Sequence, residues 1–290
     1  MSKPLIHPNW TRPPINMVDG FSLEMTAKDV TSLRAAAPGI PKDTPIAVTF
    51  LPGEEFRARI EATKLVRSLG LEPMPHFSAR RISSVAEFED YLAAATGEAA
   101  VKRCFVIAGD PSEPEGPFFD SSELIASGTF ERMGITAIGI GGHPEGHPNM
   151  TEEQCWAVLE GKCAEIDRRG MAPLIVTQFA FDADMVLKWL KAVRTRGITA
   201  PVRIGVPGPA GIKTLMRFAA RCGVGASASV LSKYGISISQ LLGSAGPDKL
   251  IAAFERGLGP EHGPARLHFY PFGGLEKTVA WIDEYNRSHQ

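Results

Sequence analysis

Carboxylates, histidines and a glutamine stand at points along this chain of 290 residues where an apolar run stops and a turn begins. They are Glu24, His76, Asp110, His143, His147 and Gln178, with Thr49 and Glu145 at similar points. The pattern is clearest in Arg103-Cys104-Phe105-Val106-Ile107-Ala108-Gly109-Asp110-Pro111. There a run suited to a strand buried on both faces ends at a glycine, with a carboxylate immediately beyond. Two carboxylates in one pocket can divide the labour of acid catalysis, because burial raises one while hydrogen bonds hold the other ionised. Each could equally do no more than cap the helix that follows it. The histidines allow a second chemistry. His76, Asp110, His143 and His147 could furnish a zinc or iron site for a metal-dependent barrel hydrolase or lyase. Against that, Pro144 and Gly146 space His143 and His147 along a loop instead of locking them on one helix face.

Positioning these residues requires a repeating scaffold. Short apolar strands are expected at Gly20–Met25, Pro45–Phe50, Glu72–Phe77, Lys102–Ala108, Ile135–Ile140, Ala172–Gln178, Pro201–Val206 and Arg266–Tyr270. Helical patterns follow them at about Thr26–Ala37, Glu54–Leu69, Ser83 or Ser84 to Ala95, Ser122–Met133, Thr151–Arg169, Asp182–Arg196, Gly211–Cys222 and Leu275–Tyr285. A further helix is expected at Pro247–Arg256, after a less regular stretch from Val224 to Gly243. Repeated strand-then-helix units in a chain of this length predict an α/β fold, a single-domain (β/α)8 TIM barrel over residues 20–290 behind an N-terminal arm of residues 1–19. An open doubly wound sheet competes, but no Gly-x-Gly-x-x-Gly follows the first strand and no Gly-Lys-Ser/Thr occurs. Barrels collect their chemistry at the carboxyl ends of the strands, so Glu24, Asp110 and Gln178 are expected to meet on one rim.

Composition narrows the classes. A hydrophobic fraction of 44% with 22% charged residues is that of a soluble globular protein. A formal net charge of -1 supplies no basic excess to attract nucleic acid or an anionic membrane. No apolar run reaches the roughly 18 residues of a membrane span, and Met1–Met17 lacks a signal-peptide core. The four cysteines form no Cys-x-x-Cys pair and read as buried reduced thiols in a cytoplasmic protein. Trp10, Trp156, Trp189 and Trp281 read as packing residues.

Taken together, Phe21-Ser22-Leu23-Glu24, Pro75-His76, Gly109-Asp110, His143-Pro144-Glu145-Gly146-His147-Pro148, Thr177-Gln178-Phe179-Ala180-Phe181-Asp182 and His268-Phe269-Tyr270 resemble the signature of the methylenetetrahydrofolate reductase family, in order, over about residues 20–287. The resemblance implies a short catalytic barrel that interconverts 5,10-methylenetetrahydrofolate and 5-methyltetrahydrofolate with NADH or NADPH, for methionine biosynthesis or one-carbon breakdown. It implies Glu24 as general acid at N10, and Asp110 as the carboxylate that binds the pterin and stabilises the N5-iminium cation. Gln178 would hydrogen-bond the pterin, with Phe181 and Ile212 at further substrate positions. Thr49, His76, Ala108, Gly109, His143 and His147 fall at cofactor positions, where the family holds FAD. Several depart from its pattern: Ala108 replaces an arginine, His143 a tyrosine, and Phe119 or Asp120 stands at another tyrosine. On the folate side Ile212 replaces an aromatic residue and Gly274 an arginine. Hydride transfer through FAD and transfer directly from the nicotinamide therefore both stay open. A folate-binding module without turnover is a third reading, no metal is implied, and association into a homo-oligomer is possible.

Overall fold

The computed structural model describes residues 14–225, Leu231, Tyr234 and 244–289, so most of the stretch expected to be irregular lies outside the described residues. Its strands are β1 (Ser22–Met25), β2 (Pro45–Val48), β3 (Glu72–Ser78), β4 (Arg103–Ile107), β5 (Ala137–Gly142), β6 (Ala172–Phe179), β7 (Val202–Pro207) and β8 (Ala265–Tyr270). Each is parallel to the next, and β8 pairs with β1 to close the barrel. The helices are α1 (Val30–Ala36), α2 (Phe56–Ser68), α3 (Val85–Ala99), α4 (Ser121–Ala126), α5 (Thr129–Arg132), α6 (Glu152–Arg168), α7 (Ala183–Thr195), α8 (Ile212–Cys222), α9 (Asp248–Gly257) and α10 (Leu275–Ser288). A two-stranded ladder, Ala210–Gly211 against Ser244–Ala245, stands apart from the barrel. The (β/α)8 expectation holds.

Local chemistry explains the boundaries. Ser84 accepts a hydrogen bond from Glu87 N at 3.1 Å to start α3, and Thr151 with Gln154 forms a reciprocal capping box on α6. The single helix expected over Ser122–Met133 is instead α4 and α5, broken at Gly128, whose φ of +77° ends the first helix. β5 runs two residues beyond the expected Ile140, into Gly141 and Gly142. β3 forms despite Pro73 and Pro75, because its ladder to β4 begins only at His76, past both prolines. Of the expected arm, Val18 enters the core at 1% exposure, and the Asn16 side chain donates to Asn286 Oδ1 at 2.9 Å.

Alternation along the strands sorts two cores. Leu23, Ile46, Val48, Val106, Ile138 and Ile140 face outward into the layer beneath the helices. Ala47, Met74, Phe105, Leu174 and Val176, with Ile107 against them, fill the barrel interior as a separate cluster. Above that plug, at the carboxyl ends of the strands, the interior positions turn polar. This is where the site sits.

Candidate functional site at the barrel mouth

Ser22 and Glu24 lie two residues apart on β1, on the face opposite Leu23, and His268 and Tyr270 lie two apart on β8. Because Ser22 registers with His268, closure of the barrel sets these side chains in a row. His268 Nδ1 is 2.8 Å from Ser22 Oγ, and its Nε2 is 3.8 Å from Glu24 Oε2. Burial lowers the His268 pKa against the opposing pull of the Glu24 carboxylate. His76 on β3 is also buried and packs on Phe105 with centroids 4.6 Å apart. Burial pushes its pKa down to about 4, the Glu24 charge pulling the other way and His268 adding to the depression. Two neutral imidazoles thus face one carboxylate. With Nδ1 bonded to Ser22, His268 can offer Nε2 to Glu24 as a donor or as an acceptor, so either protonation state of Glu24 finds a partner.

Other expected residues gather around this row. Thr49, just past β2, donates its N–H to Met25 O at 2.9 Å, while its buried Oγ1 has no partner. Gln178 sits at an irregularity in the β6–β7 register between Val176 and Phe179. Its Oε1 accepts from Phe179 N at 3.1 Å, leaving the side-chain NH2 without a hydrogen bond among the described residues. Tyr270 lies edge-on to His268, with centroids 4.8 Å apart, and donates to Thr177 O at 3.0 Å.

Not every expected residue joins the group. Asp110 is at the same rim after Gly109, whose φ of +97° makes the turn, but its carboxylate is engaged by Arg81 and its side chain is 60% exposed. Phe181 and Ile212 are core residues, at 0% and 2% exposure. His143 and His147 pack edge-to-face on the β5 loop, with centroids 4.9 Å apart. They help line a cavity of about 510 Å³ that lies beside the mouth, walled by Trp156 of α6 and Trp189 of α7 and touching none of Glu24, His76, Asp110 or Gln178. The chemistry is therefore taken from the mouth, where the titratable groups converge. Among the described residues no three His, Cys, Asp or Glu side chains form a metal cluster, so His76, Asp110, His143 and His147 do not assemble the shell that a metal hydrolase would use.

A flavin dinucleotide would need cations for its diphosphate as well as polar groups for its ring. Thr49 Oγ1 and His76 could meet a ring edge. At the end of β4, however, Ala108 offers no charge, and the neighbouring arginines are committed to protein acceptors: Arg80 to Pro111 O and Phe119 O, Arg81 to Asp110. Lys162 of α6 is held to Ser121 Oγ at 2.5 Å and lies in the field of Asp120. This donor set does not fit a tightly held FAD.

The methylenetetrahydrofolate reductase family model matches residues 34–240. The chain belongs to this family. Family relatives include methylenetetrahydrofolate reductase 2 of Saccharomyces cerevisiae, 28% identical over 160 residues, which cover 53% of this chain and 26% of that protein. Methylenetetrahydrofolate reductase (NADH) 1 of Zea mays is 28% identical over 134 residues, covering 42% of this chain and 23% of that protein. The matches thus span about a quarter of the length of these curated relatives. By fold, the chain is similar to dihydropteroate synthase from Thermus thermophilus, with a TM-score of 0.51 at 12% identity over 92% of this chain and 93% of that one.

Reading strand ends singled out Glu24, Thr49, His76 and Gln178, but it missed Ser22 and His268 as members of the row. The available signal was parity: Ser22-x-Glu24 and His268-x-Tyr270 place polar residues two apart inside otherwise apolar strands.

Proposed function

We propose that the chain interconverts 5,10-methylenetetrahydrofolate and 5-methyltetrahydrofolate, with NADH or NADPH as the hydride partner and Glu24 as general acid. The observation that carries this reading is the row in which Glu24 faces His268 Nε2 while His268 Nδ1 is held by Ser22. In the reducing direction the Glu24 carboxyl protonates N10, the N10–CH2 bond opens, and the N5-iminium cation forms. Hydride from the dihydronicotinamide adds to the methylene carbon, giving the N5-methyl group and the oxidised nicotinamide. Glu24 is left as a carboxylate, which His268 Nε2–H can then meet as a donor. The Asp110 side chain would face the developing cation, and Gln178 would bond the pterin edge with the NH2 group that makes no hydrogen bond among the described residues.

Because Ala108 carries no charge and Arg80, Arg81 and Lys162 are engaged by protein acceptors, no cation among the described residues is free for a diphosphate at the end of β4, and the hydride is taken to pass directly from nicotinamide to folate. The visible absorbance spectrum of freshly purified protein checks this: stoichiometric flavin bands would refute direct transfer. The acid role is tested with Glu24→Gln. We expect turnover of methylenetetrahydrofolate to fall by about 100-fold or more, with the Kd for 5-methyltetrahydrofolate within about threefold of native. Near-native turnover of that variant would remove Glu24 from the mechanism.

A further inference from the structure

The carboxylate assigned to the substrate cation is not idle in this structure. Asp110 Oδ1 accepts from Arg81 Nε at 2.9 Å and from Arg81 Nη2 at 2.5 Å. Both donors land on the same oxygen, so the two-oxygen fork of the strongest guanidinium–carboxylate pairs is not formed and Oδ2 takes nothing from Arg81. Arg81 itself is well anchored. Its side chain is 14% exposed, it also reaches Glu115 Oε1 at 3.5 Å, and it ends a short 3-10 turn, Ala79–Arg81, directly after β3.

The loop that carries Asp110 is clasped to that turn by the preceding residue. Arg80 N donates to Ala108 O at 2.9 Å, Arg80 O accepts from Glu115 N at 2.7 Å, and the guanidinium donates to Phe119 O at 2.8 Å and Pro111 O at 3.1 Å. Gly116 packs so closely on Ile82 and Ser83 that a Cβ there would collide with their backbone. Arg80 therefore fixes the loop, while Arg81 acts on the Asp110 carboxylate alone. Asp110 lies between Gly109, at φ +97°, and Pro111, so it is the side chain and not the chain path that can change partner.

We propose that Arg81 is a positioning residue that competes with the folate for Asp110: in the free protein it holds the carboxylate, and substrate binding exchanges that ion pair for the pterin. This rests on the reading of Asp110 as a folate-binding carboxylate. A group that must leave one partner to take another binds the second more weakly, by the strength of the first. Arg81 thus sets substrate affinity, and it does so only through Asp110.

The experiment is a double-mutant cycle read by the Kd for 5-methyltetrahydrofolate and by KM for methylenetetrahydrofolate. Arg81→Met is expected to tighten Kd by about three- to tenfold, the range for a half-buried pair with a single shared oxygen, with KM falling in parallel. Arg81→Lys, which leaves a point charge beside Asp110, should fall between native and Arg81→Met. In an Asp110→Asn background, which itself weakens binding, Arg81→Met should change nothing. Arg57→Gln, which opens an exposed pair with Glu98 on the protein surface, is the control and should not move Kd. Unchanged or weaker folate binding by both Arg81 variants, or an Arg81→Met effect that persists without Asp110, overturns the proposal while leaving the reductase reading intact. If Asp110→Asn binds folate as well as native protein, the Asp110 assignment falls and the Arg81 proposal with it.

Discussion

Around Glu24 the decisive quantity is charge. His76 has a pKa of about 4 in the folded protein against an ordinary value of 6.5, because burial beside the Phe105 ring disfavours the imidazolium. Between those two values the unfolded chain binds a proton that the folded protein does not, so stability rises with pH across that window and is lost as pH falls from about 6.5 towards 4. The shift corresponds to on the order of 3 kcal/mol for this one fully buried ring. Burial lowers the His143 pKa to about 4 as well, and it contributes with the same sign. Chemical denaturation at intervals from pH 7 to pH 4 should therefore show a falling free energy of unfolding. His76→Asn should flatten the curve over that range, and an unchanged slope would mean that His76 is not neutral and buried as described. A neutral His76 adds no positive charge beside Glu24 near pH 7.

The elements set how exactly the polar residues are aimed, and β6 is the most demanding of them. Its register with β7 slips between Val176 and Phe179, which brings Gln178 to the mouth. β7 can follow the slip only because residue 205 is glycine: a Cβ there would lie 2.5 Å from Thr177 O and 2.8 Å from the Gln178 carbonyl carbon. Gly205 N also donates to Thr177 Oγ1 at 2.8 Å, which pins the irregularity in place. Gly205→Ala must push the β6 backbone away, at a cost of about 1–3 kcal/mol by the usual penalty for overpacking. It should also weaken folate binding more than this modest loss of stability explains, because Gln178 moves with the backbone. Matching native and variant Kd values in a folded protein would show that Gln178 does not depend on the bulge. Thr177-Gln178 reads in sequence as the end of one strand, and nothing in its composition announces the slip. The collision between Gly205 and β6 exists only once both strands are in the barrel.

For the whole molecule, what could be read from sequence was whatever recurs locally: the period of strand and helix, the glycine or cap at each boundary, and the polar residue where an apolar run ends. Glu24, Thr49, His76 and Gln178 follow from that rule, because a parallel barrel puts all its strand ends on one rim. His268 escaped it because its importance depends on Ser22, almost the full chain length away, and the two meet only where β8 closes on β1. Asp110 reaches the same rim, but its engagement by Arg81 was not legible, since an arginine in a turn gives no sign of the carboxylate it will hold. Closure is also where the barrel is thinnest. β1 has four residues and registers with β8 only through Ser22 and Leu23, whereas β7 registers with β8 along the whole of Ala265–Tyr270. An opening that frees β1 breaks the fewest ladder bonds and carries Glu24 away from His268, so the seam that sets these two side by side is also the easiest to part. Native-state hydrogen exchange should show β1 amides exchanging faster than those of β5, β6 and β7. A folate that bridges Glu24 on β1 and Gln178 on β6 binds only the closed seam. At 100 times its Kd it should slow β1 exchange by about 100-fold, the roughly 2.7 kcal/mol of linkage expected when a ligand binds one state alone. Slowing confined to the other strands, with β1 unaffected, would place the folate away from Glu24.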